Sequence, residues 1–144
     1  MDKTDEKIIS LLKTNARTSN AEIARQIGIV PSAVLERIRK LEEKGIIKKY
    51  AAVTDPAKTG RNVLAYLQVS TSAKPGDRCS SECLSEFQEV VELHQVAGEY
   101  SYLLKVRTED NQTLAKFLKD KLGALQSITS IKTTIVLETV KEGL

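Results

Sequence analysis

A short basic run, residues 32–40, holds the side chains of this chain that are best suited to chemistry. Arg37, Arg39 and Lys40 follow two small residues, Ser32 and Ala33. Guanidinium and ammonium groups donate hydrogen bonds to guanine acceptors and to phosphate oxygens, and small residues let a helix approach base edges closely. These residue types at this spacing favour contact with a nucleic acid duplex.

The apolar residues around the run predict two short helices. Ser19 or Asn20 can cap the first helix, and Gly28 lies where a chain that leaves a helix must turn. Pro31 suits the first turn of the second helix, where a missing N–H group costs little. The predicted buried faces are Ala21, Ile23, Ala24 and Ile27 in the first helix, and Val34, Leu35, Ile38 and Leu41 in the second. The residues expected to stay exposed on the second helix are Ser32, Ala33, Glu36, Arg37, Arg39 and Lys40.

Two short helices joined by a tight turn that contains glycine have the pattern of a helix-turn-helix, whose second helix enters the major groove of DNA. An ordinary helical hairpin with a solvated charged face fits the periodicity equally well. The basic excess accompanies the two helices, because residues 1–60 hold 12 Lys and Arg against 8 Asp and Glu, whereas residues 61–144 hold 10 against 11.

The segment after the second helix alternates imperfectly between apolar and polar residues. Ile46–Val53 is therefore predicted to form a short strand or wing. Lys48 and Lys49 would flank the duplex if the wing lies along its backbone. Lysines that only keep an edge strand soluble are the alternative.

Composition divides the chain into two parts. Asp2–Thr14 is predicted to be a first helix, which supplies the third wall of a small helical core. Asp55–Asn62 is a break in composition, so the predicted domains are residues 1–60 and 61–144. The chain has a formal charge of +3, is 41% apolar and contains no apolar run of about 18 residues. We expect a soluble, cytoplasmic protein with no membrane partner.

The helical region resembles the winged helix-turn-helix of the Lrp/AsnC family, the leucine-responsive or feast/famine regulators. The resemblance lies in SNAEIARQIGIVPSAVLERIRKLEEK, with DEKIISLL before it and EEKGIIKKYAAVTDP after it, and it continues to the carboxyl terminus. Its most specific part is the LERIRKLE run, Leu35–Glu42. The resemblance implies a transcriptional regulator that binds double-stranded DNA through a recognition helix at Pro31–Lys44.

The second half of the chain alternates between strand and helix patterns. Its predicted elements are a strand at Val63–Ser72, a turn at Lys74–Gly76, a helix at Asp77–Glu89, strands at Val90–Ala97 and Tyr100–Thr108, a helix at Asn111–Leu122 and a strand at Ile128–Val140. This is the ferredoxin-like βαββαβ order, which makes the whole chain α+β and leaves one sheet face uncovered. Apolar residues occur on both faces of the last two strands, so we expect the open face to pair with another subunit. The family resemblance implies an ACT-like domain that forms homodimers, which can assemble into octamers.

A glycine turn in the second half is the predicted site for a small molecule. Gly98 suits the tight connection between two strands and leaves N–H groups open beside Glu99. The resemblance implies an amino-acid effector site here, although Ser101 stands where the family usually has Asp. The predicted effector residues are Ala97, Gly98, Glu99, Tyr100, Ser101, Thr133, Thr134 and Ile135. A simple hairpin glycine and strand-forming threonines are the alternative.

Little in the sequence indicates catalysis. His94 is the only histidine, and no Ser, Cys or second His is placed to form a relay with it. Cys79 and Cys83 stand one helical turn apart and are expected to be apolar fillers rather than a metal site. We therefore expect no enzyme activity, no metal and no cofactor other than the amino-acid effector. Two alternatives remain: an enzyme resembling the siroheme decarboxylases, which are similar to Lrp/AsnC proteins, and a nucleoid-type protein that wraps DNA.

Overall fold

The computed structural model describes residues 1–72 and 78–142, with the backbone alone at residues 78–80. These residues form two compact units, Met1–Val53 and Thr54–Glu142. The composition break had placed the start of the second domain at Arg61. The predicted turn at Lys74–Gly76, the predicted helix start at Asp77 and the side chain of Cys79 lie outside the described residues.

The amino-terminal unit contains three helices: α1 at Lys3–Thr14, α2 at Asn20–Ile27 and α3 at Pro31–Glu43. Local signals begin and end them. The Ser19 side chain accepts a hydrogen bond from the Glu22 N–H group at the start of α2, and Gly28 ends α2 in the left-handed conformation with φ of 82°. Pro31 occupies the first turn of α3, as predicted. The buried core is Ile8, Ile23, Ala24, Val34, Ile38 and Leu41.

Two residues predicted to be buried in this core are exposed instead. Leu35 is 58% exposed, and Ala21 also lies on the surface. The reason is rotation, because the core contacts of α3 are centred on Val34, Ile38 and Leu41, and Leu35 lies about 100° around the helix from Val34. Ala33 and Arg37 differ from prediction in the other direction, since both are half-buried rather than exposed.

The predicted wing strand at Ile46–Val53 is not formed. The Ile46 and Ile47 N–H groups both bond to the Leu41 carbonyl oxygen, which folds the chain back onto the end of α3. Ile47 packs against the helical core. A strand needs a neighbouring strand, and the described part of this unit contains only helices and irregular segments.

The carboxyl-terminal unit has the predicted βαββαβ order. Its strands are β1 at Val63–Thr71, β2 at Val90–Gln95, β3 at Tyr102–Thr108 and β4 at Ile128–Ile135. Its helices are α4 at Arg78–Ser85 and α5 at Asn111–Lys116. The strands form one antiparallel sheet in the order β2-β3-β1-β4, which confirms the α+β, ferredoxin-like prediction.

Helix α5 continues as a π turn at Phe117–Leu122. This turn places Phe117 edge-on to Phe87, with ring centroids 5.6 Å apart. Lys121 Nζ lies 2.6 Å from Glu89 Oε1 and 5.8 Å from the centre of the Phe87 ring. The π turn therefore closes one side of the core under the sheet.

Two predicted elements of this unit extend four or more residues too far. Helix α4 ends at Ser85 rather than Glu89, and β4 ends at Ile135 rather than Val140. Strand β4 ends because its neighbour does: Ile135 pairs with Ala65, and the Val136 N–H group bonds to the Leu64 carbonyl oxygen near the start of β1. Beyond that point only Val63 of β1 remains, so the ladder cannot extend to Val140.

Candidate nucleic-acid interface and effector hairpin

The outward face of α3 carries charges of both signs. Glu36 Oε1 lies 3.1 Å from Lys40 Nζ and 3.7 Å from Arg39 Nη2, and Arg39 Nη1 lies 3.2 Å from Glu43 Oε1. The hydrogen bond from Lys40 is the main cause of a lowered pKa of Glu36, so this carboxylate stays ionised. All four side chains are exposed, and exposed ion pairs contribute little to stability. Arg39 and Lys40 can therefore exchange their carboxylate partners for phosphate oxygens at small cost.

Arg37 points away from this face. Its Nη1 atom lies 2.7 Å from Asp2 Oδ2 and 2.7 Å from Asp5 Oδ1, at the start of α1. The side chain is 35% exposed. Sequence reasoning had grouped Arg37 with the exposed basic residues of α3, and nothing in its local pattern signals a contact 35 and 32 residues away.

The remaining predicted DNA contacts lie near the ends of α3. Ser32 is exposed in the first turn of the helix, and Lys48 and Lys49 are exposed in the segment that follows it. Tyr50, which sequence reasoning missed, donates a 2.8 Å hydrogen bond from its hydroxyl group to Glu42 Oε1. Leu35, which had been predicted to be buried, is also exposed on α3.

The predicted effector hairpin joins β2 to β3 and is fastened to β1. Gly98 has φ of 129°, in the region that favours glycine. The Val96 N–H group donates to the Ser101 carbonyl oxygen at 3.0 Å, and the Ser101 N–H group donates to the Val69 carbonyl oxygen at 2.9 Å. Ser101 Oγ accepts a longer bond of 3.4 Å from the Thr71 N–H group. Ala97, Gly98 and Glu99 are exposed, and Tyr100 is half-buried.

The other predicted effector residues lie elsewhere on the sheet. Thr133, Thr134 and Ile135 are exposed on β4 and pair with Leu67, Tyr66 and Ala65. Ser101 adjoins Val69, three residues along β1 from Tyr66, which corresponds to about 10 Å along the strand. Strand β1 also separates the two groups across the sheet. A single chain therefore does not bring the hairpin and Thr133–Ile135 together.

An ion cluster occupies the centre of the open sheet face. Lys105 Nζ lies 3.1 Å from Glu92 Oε1 and also contacts Glu142 Oε1, and its side chain is only 9% exposed. Arg107 Nη2 lies 3.4 Å from Glu142 Oε2. His94 Nε2 lies 3.4 Å from Glu92 Oε2 at the edge of the cluster. Sequence reasoning missed the cluster because Glu142 is 37 residues from Lys105.

Comparisons with known proteins agree with this architecture. Residues 1–48 match the family described as "Winged helix-turn-helix DNA-binding", and residues 64–144 match the family described as "Lrp/AsnC ligand binding domain". Within residues 1–72 and 78–142, no helix is both long enough and apolar enough to cross a membrane.

Individual relatives cover nearly the whole chain. It is 36% identical to the HTH-type transcriptional regulator FL11 of Pyrococcus horikoshii over 99% of this chain and 93% of that protein. It is 30% identical to the leucine-responsive regulatory protein of Escherichia coli over 99% of this chain and 88% of that protein. A transcriptional regulator from Neisseria meningitidis, solved as a complex with L-methionine, superposes with a TM-score of 0.93 at 29% identity, over 99% of this chain and 93% of that one. The chain therefore belongs to the Lrp/AsnC family and is a DNA-binding transcriptional regulator that responds to a ligand.

Proposed function

We propose that this regulator binds duplex DNA as a homodimer, with one α3 helix in each half-site, and that its ligand is an amino acid. The observation that carries the proposal is the outward face of α3, where Ser32, Glu36, Arg39 and Lys40 are exposed on the side of the helix opposite its core. Arg39 and Lys40 supply phosphate or guanine contacts, and Ser32 lies where a recognition helix meets base edges. The other residues that we propose to contact DNA are Ala33, Glu36, Lys48 and Lys49.

A dimer suits the modest charge of this surface. Glu36 and Glu43 offset Arg39 and Lys40, so a single helix gains little from counterion release. Two linked copies multiply a weak contact. We propose that the second subunit packs against the open face of the sheet. Larger assemblies such as octamers are then built from these dimers.

The amino-acid ligand is proposed from two observations. The Neisseria relative was solved with L-methionine, and this chain matches the ligand-binding family over residues 64–144. Open N–H groups at the Gly98 hairpin suit a carboxylate, and Glu99 suits an ammonium group. Since Thr133–Ile135 lie apart from the hairpin in one chain, a site that uses both groups takes them from different subunits. We further propose that the protein regulates transcription without catalysing a reaction and that it acts in the cytoplasm.

Binding-site selection from a pool of random duplexes tests the DNA part. The selected duplex should bind about a thousandfold more tightly than random DNA at physiological salt. Arg39→Ala and Lys40→Ala should each weaken binding and lower the slope of log affinity against log salt by about one. Equal affinity for selected and random duplexes would instead favour a DNA-wrapping protein.

A thermal-shift screen of the twenty amino acids tests the ligand part. A ligand at a hundred times its Kd stabilises the folded state by about 2.7 kcal/mol, which raises the melting temperature measurably. Light scattering of the full chain gives the assembly size in the same buffer. A screen without any shift would contradict the amino-acid assignment, and a monomer at micromolar concentration would contradict the dimer.

A further inference from the structure

The start of α1 and the middle of α3 are joined through one guanidinium group. Arg37 Nη1 contacts Asp2 Oδ2 and Asp5 Oδ1, each at 2.7 Å. We call these three side chains the Arg37 clamp. The side chain of Asp5 is 16% exposed and that of Asp2 is 55% exposed, so the clamp is shielded from solvent on its Asp5 side. Shielded, charge-assisted hydrogen bonds are stronger than those between exposed groups.

The two carboxylates of the clamp are already oriented by the backbone. Asp2 Oδ1 accepts bonds from the N–H groups of Thr4 and Asp5, both at 2.9 Å, and Asp5 Oδ2 accepts a 3.0 Å bond from the Asp2 N–H group. This reciprocal arrangement is a capping box built from two aspartates. Each carboxylate therefore uses one oxygen for the helix end and its other oxygen for Arg37. The guanidinium group therefore meets two acceptors whose orientation the helix end also holds.

The position of Arg37 on α3 separates it from the outward face. Successive helical residues lie about 100° apart, so Arg37 and Arg39 point to opposite flanks of the helix, about 160° apart. Arg39 is exposed beside Glu36 and Glu43, whereas Arg37 leans toward α1. The clamp also carries two negative charges against one positive charge. It therefore offers a phosphate group no net attraction.

We propose that Arg37 is a positioning residue: through Asp2 and Asp5 it sets the rotation of α3 about its own axis, and thereby the register of the base-reading side chains in the groove. The inference rests on the proposed use of α3 as the recognition helix and names what holds that helix in its reading orientation. Hydrophobic contacts of Val34, Ile38 and Leu41 hold α3 on the core, but apolar packing is less directional than hydrogen bonds.

A comparison of specific and non-specific binding tests the role. The probes are the duplex that the wild-type protein selects from a random pool and a duplex of scrambled sequence. The variants are Arg37→Ala and the milder Asp5→Asn, and the controls are Arg39→Ala and Glu6→Gln. Glu6 lies in the same turn of α1 as Asp5 but is not a partner of Arg37, so its neutralisation matches the charge change alone. Melting curves of each variant set an assay temperature at which all of them are folded.

We expect both clamp variants to lose about tenfold or more of the ratio between selected and scrambled affinity, which is the loss expected when a base contact fails. Their salt dependence should equal that of the wild type, because no phosphate contact is removed. Arg39→Ala should lower the salt slope by about one, and Glu6→Gln should leave the ratio unchanged.

Other results would overturn the inference. A lower salt slope in Arg37→Ala would make Arg37 a phosphate contact, and an unchanged ratio in both clamp variants would reduce the clamp to a structural link. If the wild-type protein selects no duplex at all, the proposed function fails first, and the inference fails with it.

Discussion

The hydroxyl group of Tyr50 donates a hydrogen bond to Glu42 Oε1 at 2.8 Å, which ties the segment after α3 to the last turn of that helix. Although 49% of the residue is exposed, partial desolvation of the hydroxyl group, followed by the bond to Glu42, raises the pKa of Tyr50 to about 12. The ordinary value is 10.0, so the folded state holds the phenolic proton more tightly than the unfolded chain does.

The raised pKa of Tyr50 predicts that the free energy of unfolding falls at alkaline pH. The contribution of Tyr50 is fully present below pH 10 and is lost as the pH rises toward 12. Tyr50→Phe removes the titrating group, so unfolding free energies measured in urea should decline less with pH in the variant than in the wild type. Parallel curves for the two proteins between about pH 9 and about pH 11 would contradict the prediction.

The Arg37 clamp predicts a separate loss of stability in acid. The pKa values of Asp2 and Asp5 are lowered from 3.8, first by the backbone N–H groups of the capping box and then by Arg37. Stability from these groups is therefore present above pH 3.8 and is lost as the pH falls through the folded pKa values. Asp5→Asn should flatten this decline in thermal unfolding, whereas Glu6→Gln should retain it. The same acid curve in wild type and Asp5→Asn would refute the assignment.

The ion cluster on the open sheet face predicts that removal of the Lys105 charge lowers the stability of the protein. Lys105→Met keeps the buried aliphatic stem but removes the ammonium group, which leaves Glu92 and Glu142 facing each other beside Arg107. We expect a loss of about 1–3 kcal/mol in the free energy of unfolding. Lys132→Met is the matched control, because Lys132 is exposed on the same sheet face, and its change should stay within about 0.5 kcal/mol. Equal effects from the two substitutions would mean that the cluster contributes no more than an exposed lysine.

The positive φ of Gly98 predicts that a residue with a Cβ atom at this position strains the backbone. Gly98 has open space around its Cα atom, but its φ of 129° is unfavourable for any residue with a Cβ atom. Gly98→Ala should therefore lower the free energy of unfolding by about 1–3 kcal/mol. Glu99→Ala in the same turn should have little effect on stability. A Gly98→Ala protein as stable as the wild type would show that the hairpin adapts without strain.

Features with local causes could be predicted from the sequence. Ser19 and Gly28 mark the two ends of α2 and Pro31 marks the start of α3, each through its local sequence, and both helices lie where these residues place them. The order of strands and helices followed from periodicity in the same way. The ferredoxin-like sheet was therefore predictable, although each pairing joins distant segments.

Features that depend on distant partners could not be predicted. The wing at Ile46–Val53 reads as a strand, yet strand formation needs a neighbour that this unit lacks among the described residues. Strand β4 stops where β1 begins, which its own residues do not encode. The assignment of Leu35 failed for a different reason, because two adjacent apolar residues in a helix do not reveal which one faces the core.

The π turn at Phe117–Leu122 is bonded from the Gly123 N–H group to the Leu118 carbonyl oxygen, five residues back. Such a turn contains one residue more than the α-helical turn that it replaces. A Cβ atom at position 123 would collide with the Lys119 carbonyl oxygen, so only glycine can follow this turn without a shift of the backbone. Deletion of a single residue here would rotate Lys121 by about 100° and carry it away from Glu89 and Phe87. Evolution of this protein should therefore tolerate substitutions within the turn far more readily than the deletion of a residue from it.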